Sequence, residues 1–172
     1  MNKDRLSTER RSWDTSRIRG KNTSPELIVR RLLHRMGYRF RLHVRIPISV
    51  VGTARRAVRV PQRNIPARSV SVDILLPKYK TAIFVHGCFW HRHQGCSNCT
   101  TPTNRREWWL AKLEGNAARD QRNQAALKKL GWKVIVIWEC QTAKEQTLRR
   151  VMEKLPKILC ATQDDARALS NL

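Results

Sequence analysis

Residues 84–99, FVHGCFWHRHQGCSNC, decide how the rest of the chain is read. They continue an apolar run, Thr81–Val85, with the composition of a buried strand. From 86 to 99, three His and three Cys fall within fourteen residues. Imidazoles and thiols gathered at a strand end hold a metal or perform chemistry there. Between them stand Phe89 and Trp90, two large apolar side chains at a loop position.

The chain has 172 residues, enough for one domain with its own core. Its 35 Lys and Arg against 13 Asp and Glu leave a formal charge of +22. That is well beyond what solubility needs, so the expected partner is a polyanion. A membrane surface competes for such charge. No apolar run, however, approaches the ~18 residues of a spanning helix, and the N-terminal MNKDRLSTERR has no apolar stretch behind its charges. The expectation is a cytoplasmic, nucleoid-associated protein with no membrane contact. Five Cys, an odd number clustered beside His, argue for metal binding plus a spare thiol over a disulfide framework.

Working outward, residues 1–22 form a basic arm carrying Arg17, Arg19 and Lys21. Thr23-Ser24-Pro25-Glu26 opens a helix over 24–36, with Ile28, Leu32 and Met36 on one face and Val29 and Leu33 beside them, stopped by Gly37. Tyr38–Ile46 alternates apolar and basic residues, the period of a half-buried strand with a cationic solvent face. Residues 47–71 read as a long basic loop, with room for a short strand at Val58–Val60. Val70–Leu76 and Thr81–Val85 are strands joined by a tight turn through Pro77-Lys78-Tyr79-Lys80. Thr101–Asn104 caps a helical region reaching Leu130 and interrupted near Gly115; its apolar positions include Trp108, Trp109, Leu113 and Leu127. Trp132–Trp138 is the strongest strand, with Glu139 and Cys140 at its end. A final helix begins near Thr142, where Thr142 and Glu145 have capping-box spacing, and Pro156 kinks or restarts it. This order predicts a mixed sheet with helices on its faces. The division is an arm over 1–22, one domain over 23–160 and a polar tail over 161–172.

Three constellations carry chemistry. Cys88, His93 and Cys96, with Cys140 from far along the chain, make a Cys3His set suited to structural zinc. Cys99, at C-x2-C spacing from Cys96, is an equally legal ligand on spacing alone; the competing reading has Cys140 as a buried thiol and the loop Cys free, although His and Cys at these intervals are uncommon by chance. Cys160 is a bystander. The second constellation is Asp73, His86, His91 and Asp120: a carboxylate and imidazoles on consecutive strands can hold Mg2+ and move a proton at a phosphodiester. Its bland counterpart has Asp73 capping a turn, His86 satisfied in the core and Asp120 paired with Arg119 or Arg122. The third is Phe89-Trp90, which is either core packing or a wedge entering between base pairs.

Taken together, SRIRGKNTSPEL, YRFRLHVR, DILLPKYKTAIFVHGCFWHRHQGC, KLEGNAARD and GWKVIVIWEC resemble the very-short-patch repair endonucleases from about Ser12 to Cys140. The resemblance implies an α/β, restriction-endonuclease-like fold with a structural zinc site, and an enzyme that nicks DNA 5′ to the T of a T·G mispair. It assigns Asp73 to Mg2+ together with the Val85 carbonyl. His91 becomes the proton acceptor steered by Asp120, His86 the assistant at the phosphate, and Glu26 an acidic residue near the site. Cys88, His93, Cys96 and Cys140 become the Zn2+ ligands, which leaves Cys99 out. Phe89 and Trp90 become intercalating aromatics, and Lys112 and Asn116 approach the mispaired bases or their backbone. The implied partners are mismatched double-stranded DNA and mismatch-repair proteins, with the chain acting as a monomer.

Two departures stand out. Val72 precedes Asp73 where relatives have Pro, behind a longer loop, and Thr15 takes the place of an arm Met that joins the wedge. They keep two other readings in play: a less selective nuclease of the same fold, and a zinc-bearing nucleic-acid-binding module without nuclease activity.

Overall fold

The structure, a computed structural model, describes Arg10, Trp13 and residues 20–48 and 68–160. Arg17, Arg19 and Thr15 of the arm, most of the 47–71 loop including Val58–Val60, and the 161–172 tail lie outside the described residues.

Helix α1 (Ser24–Arg35) leads into strand β1 (Arg41–Pro47). Strands β2 (Ser69–Leu76) and β3 (Thr81–His86) follow, joined by a single 3-10 turn at Pro77–Tyr79. Then come helix α2 (Arg106–Lys129), strand β4 (Lys133–Trp138), the one-turn helix α3 (Glu139–Thr142) and helix α4 (Glu145–Cys160). The four strands form one sheet in the order β1-β2-β3-β4. The first two pairings are antiparallel, while β3 and β4 run parallel. A parallel pair needs a long crossover, and α2 supplies it.

Helices cover both faces. On one, Val29 and Leu33 of α1 and Leu148, Leu155 and Leu159 of α4 pack with Ile74, Leu76, Ile83 and Ile137. On the other, Leu127 of α2 packs with Val70, Val72, Leu75, Ala82 and Phe84. Burying each such aliphatic side chain contributes about 1.5–3 kcal/mol against exposure. The mixed sheet flanked by helices is the α/β architecture expected, and it fits a restriction-endonuclease-like fold.

Several local expectations are corrected. The buried stripe of α1 is Glu26, Val29, Arg30 and Leu33, at helical spacing, so its inner face carries an ion pair, and Met36 lies outside on the surface. Strand β1 starts at Arg41, not Tyr38, and its alternation fails in the middle: Leu42 is exposed while His43 turns inward on a left-handed backbone, φ +49°. The opposite strand shows the same inversion. Val70 and Val72 join the α2 side, whereas Ile74 and Leu76 join the α1 side, so the faces exchange across Asp73. Helix α2 runs unbroken through Gly115, which is exposed; its loss of about 1 kcal/mol relative to Ala is absorbed by the turns around it. Trp108 on that helix and Leu130 at its C-cap are surface residues. Helix α4 runs through Pro156 and starts at Glu145, and the Thr142 hydroxyl donates back to Glu139 O instead of capping it.

Candidate active site

Asp73 sits where β2 and β3 part. The two strands pair at Leu76–Thr81, Leu75–Ala82 and Ile74–Ile83, and at the next step the Val85 N–H donates to Asp73 Oδ2 (2.9 Å). The carboxylate thus takes the donor a neighbouring strand would use. Burial pushes the Asp73 carboxyl above the usual carboxylate range, the Val85 N–H opposes this, Glu26 adds to the rise, and His43 and His91 pull it down. Such a carboxylate is poorly solvated as an anion and gains from a bound cation, which is the donor chemistry Mg2+ takes.

On the β3 side, the His86 and His91 rings stack, with centroids 3.9 Å apart and planes 10° from parallel. Asp120 of α2 lies 2.5 Å from His91 Nδ1. A carboxylate only accepts, so His91 carries its proton at Nδ1 and leaves Nε2 as a proton acceptor. Burial first, and then His91, push His86 down to about 4, with Asp120 acting the other way. The ligand atoms of His86, His91 and Asp120 lie within 4.8 Å of one another. Parallel stacked rings, however, aim their lone pairs side by side, which suits proton handling better than chelation.

Behind this pair the loop after β3 folds as successive turns. His91 N–H reaches Gly87 O, His93 N–H reaches Cys88 O, Cys96 N–H reaches His93 O and Cys99 N–H reaches Cys96 O. These turns bring Cys88, His93 and Cys96 to Cys140 of α3, all four ligand atoms within 4.8 Å of each other. His93 Nδ1 stands 3.6 Å from Cys88 Sγ and 3.4 Å from Cys140 Sγ. A tetrahedral ion with bonds of about 2.0–2.3 Å has ligand separations of that size. Burial pushes the Cys88 thiol up to about 12 and the Cys140 thiol up as well. Ionising such thiols takes a cation in their midst, so the set fits zinc. Cys99 stays outside the set.

The same loop displays Phe89 and Trp90, and α2 completes their surface. Phe89 meets Trp90 (5.1 Å) and Trp109 (5.4 Å), and Trp108 meets Trp109 edge-on (4.9 Å). Lys112 Nζ lies 4.7 Å from the Trp108 ring and about as close to Trp90 as to Trp109, at 6.0 and 5.9 Å. Asn116 Nδ2 donates to Trp90 O (3.2 Å). Trp108 and Trp109, expected as apolar positions of the helix, thus form with Phe89, Trp90 and Lys112 one aromatic surface to which both the loop and the helix contribute. Glu26 is buried on α1 near enough to Asp73 to act on its charge, and Lys21 is exposed at the root of the arm.

A family model described as DNA mismatch endonuclease Vsr matches residues 3–98. The type II nicking enzyme V.XorIIP of Xanthomonas oryzae pv. oryzae is 42% identical over 154 residues, covering 87% of this chain and 97% of its own. The chain belongs to the Vsr family. Among other members, the type II nicking enzyme V.NmeAIP of Neisseria meningitidis is 35% identical over 152 residues, spanning 88% of this chain and 93% of that one. The DNA mismatch endonuclease Vsr of Escherichia coli is 37% identical over 106 residues, 60% of this chain and 65% of its own. As a Vsr-family protein the chain is a DNA endonuclease, and DNA is its partner. No helix among the described residues is long and apolar enough to cross a membrane.

Proposed function

We propose that the chain hydrolyses one phosphodiester 5′ to the T of a T·G mispair, using Mg2+, and so begins very short patch repair of deaminated 5-methylcytosine. The observation that carries this reading is a buried carboxylate, Asp73, hydrogen-bonded to the Val85 N–H on the strand that leads into His86 and on to His91, whose Nδ1 is held by Asp120. In an extended strand the N–H and C=O of one residue face the same edge, so the Val85 carbonyl is directed with its N–H toward Asp73. Mg2+ held there would offset the charge that builds on the phosphate oxygens.

His91 Nε2 takes the proton of the attacking water, and Asp120 stabilises the imidazolium that results. The oxygen of that water bonds to phosphorus as the P–O3′ bond breaks, and the departing O3′ takes a proton from solvent, leaving a 5′-phosphate and a 3′-hydroxyl. His86, neutral down to about pH 4, offers the phosphate a hydrogen bond without adding a second positive charge beside His91. Zn2+ in the Cys88, His93, Cys96 and Cys140 set would pin the loop that carries His91. Phe89 and Trp90 enter the stack at the mispair, Lys112 and Asn116 approach its bases or backbone, and the arm with Arg17, Arg19 and Lys21 grips the duplex. The chain acts as a monomer alongside mismatch-repair proteins.

Nicking of a T·G duplex with Mg2+, set beside a panel of other mispairs and matched DNA, tests this. Cleavage confined to T·G and abolished in Asp73→Ala supports it, whereas a T·G duplex left intact would sink it. Val72 before Asp73 and Thr15 in the arm favour one second reading, a nuclease of wider mispair range, which would cut several members of the panel alike.

A further inference from the structure

Around Glu26 lies a hydrogen-bonded unit that the hydrolytic scheme leaves unused. Arg30, buried on α1, donates from Nη2 to Glu26 Oε2 and from Nη1 to Asn22 Oδ1, both at 2.6 Å. The same Nη2 lies 3.0 Å from His43 Nε2. A guanidinium only donates, so this ring nitrogen accepts and the proton of His43 resides at Nδ1. Glu26 also accepts from the Asn22 N–H and the Thr23 hydroxyl, each at 3.1 Å. Three donors, two just ahead of the helix and one on its second turn, therefore fix one carboxylate.

Two backbones in the unit are left-handed, Asn22 at φ +58° and His43 at φ +49°. Asn tolerates that region, but a histidine in the middle of a strand adopts it only where its surroundings over-determine it. His43 stands directly across the ladder from Asp73, between the pairs Leu42–Ile74 and Val44–Val72. Its left-handed turn is what takes the imidazole out of the strand's alternation and into contact with Arg30. As a device for stability the unit is poor, since apolar residues would fill a buried ion pair's place at least as well and a strained backbone works against the fold. What it does achieve is a fixed place for Glu26 beside the strand position that carries Asp73.

We propose that Arg30 and His43 are positioning residues for strand cleavage: they hold the Glu26 carboxylate where it acts together with Asp73, and through Asn22 they make the root of the basic arm part of the same unit. This rests on the reading of Asp73 as the centre of the site.

The test is a double-mutant cycle in the full chain, following nicking of a T·G duplex with Mg2+ beside duplex affinity and melting temperature. His43→Asn keeps a residue that accepts left-handed backbone, so melting is expected to hold or rise while kcat falls about ten- to a hundredfold, the scale of a misplaced group. Arg30→Met is expected to lower kcat similarly with little change in duplex affinity. Arg30→Lys, which keeps the charge but lacks the planar fork, should fall between Arg30→Met and wild type and serves if Arg30→Met does not fold. In a Glu26→Gln background both substitutions should cost little more, because the group they position is already disabled. Losses that simply multiply with Glu26→Gln, or kcat unchanged in His43→Asn, would overturn the proposal. Asp73→Ala run in parallel separates the two levels. If it still nicks, the Asp73-centred reading falls and the positioning unit with it; if it is inactive and the cycle is additive, only the positioning unit falls.

Discussion

The Trp138 indole lies flat against the His93 imidazole, with centroids 4.1 Å apart and planes 7° from parallel, while it meets His86 at 75° and 5.4 Å. One side chain at the end of β4 therefore touches both the cysteine–histidine cluster and the His86–His91 pair. The cluster and the proposed reaction site share a wall, and loosening one should be felt in the other.

Cys88→Ser should strip zinc from the protein, measured by elemental analysis, and lower the melting temperature steeply, because structural zinc contributes on the order of 10 kcal/mol in small zinc-dependent folds. Cys99→Ser should leave both quantities unchanged, since Cys99 lies outside the four-residue cluster. A strong chelator should reproduce the Cys88→Ser melting curve in the wild type.

Asp120→Asn should lower kcat by about 10²- to 10⁴-fold, the range for losing a correctly held proton acceptor, while duplex affinity and melting stay near wild type. Asn can present its amide N–H₂ to His91 Nδ1 and favour the wrong tautomer, so Asp120→Ala should retain at least as much activity. Steady-state nicking of the two variants checks the order.

His86 makes a pH signature. Its folded value of about 4 lies below the usual 6.5, so between those values the unfolded chain binds a proton that the folded chain refuses. Stability from this group is therefore whole above about pH 6.5 and lost progressively as pH falls toward 4, a difference on the order of 3 kcal/mol. His86→Gln should flatten that part of the profile. Denaturant midpoints of the two proteins between pH 4 and 7 give the difference directly, with the acid sensitivity of the thiolates common to both.

The aromatic face should govern discrimination. Trp90→Ala, Phe89→Ala and Trp109→Ala should each raise KM for mispaired duplex and reduce the preference for mispaired over matched DNA by about tenfold or more, as expected of rings that unstack a base step. Melting should move little, because all three are partly exposed. Competition between mispaired and matched duplexes in one tube measures the ratio.

Strands β2, β3 and β4 were legible because each is a short run rich in β-branched residues, and β2 and β3 are largely buried, so composition alone marks them. The Cys88, His93, Cys96 and Cys140 cluster was legible in part: spacing admitted Cys99 equally, and only the family resemblance left it out. What stayed hidden depends on partners distant in sequence. The Glu26–Arg30 pair looks like an ordinary surface i, i+4 pair until α1 is docked with that stripe inward. His43 continues a perfect alternation on paper, and only the pull of Arg30, thirteen residues earlier, turns it over. Gly115 reads as a break, yet a helix braced by Leu113 and Leu127 against its neighbours carries one glycine without yielding. Trp108 and Trp109 follow the helix period as core residues would, and the loop that makes them a surface is contributed by another part of the chain.

Trp109, Lys112, Asn116 and Asp120 succeed one another every three or four residues along a single unbroken helix. Their two ends are thus separated by roughly 16 Å of rigid rise. A helix of that kind is a measuring rod: on the proposed reading, a base step met at the Trp109 end stands at a set interval from the bond cut near Asp120, and the interval is counted in turns of the protein and not in letters of the DNA.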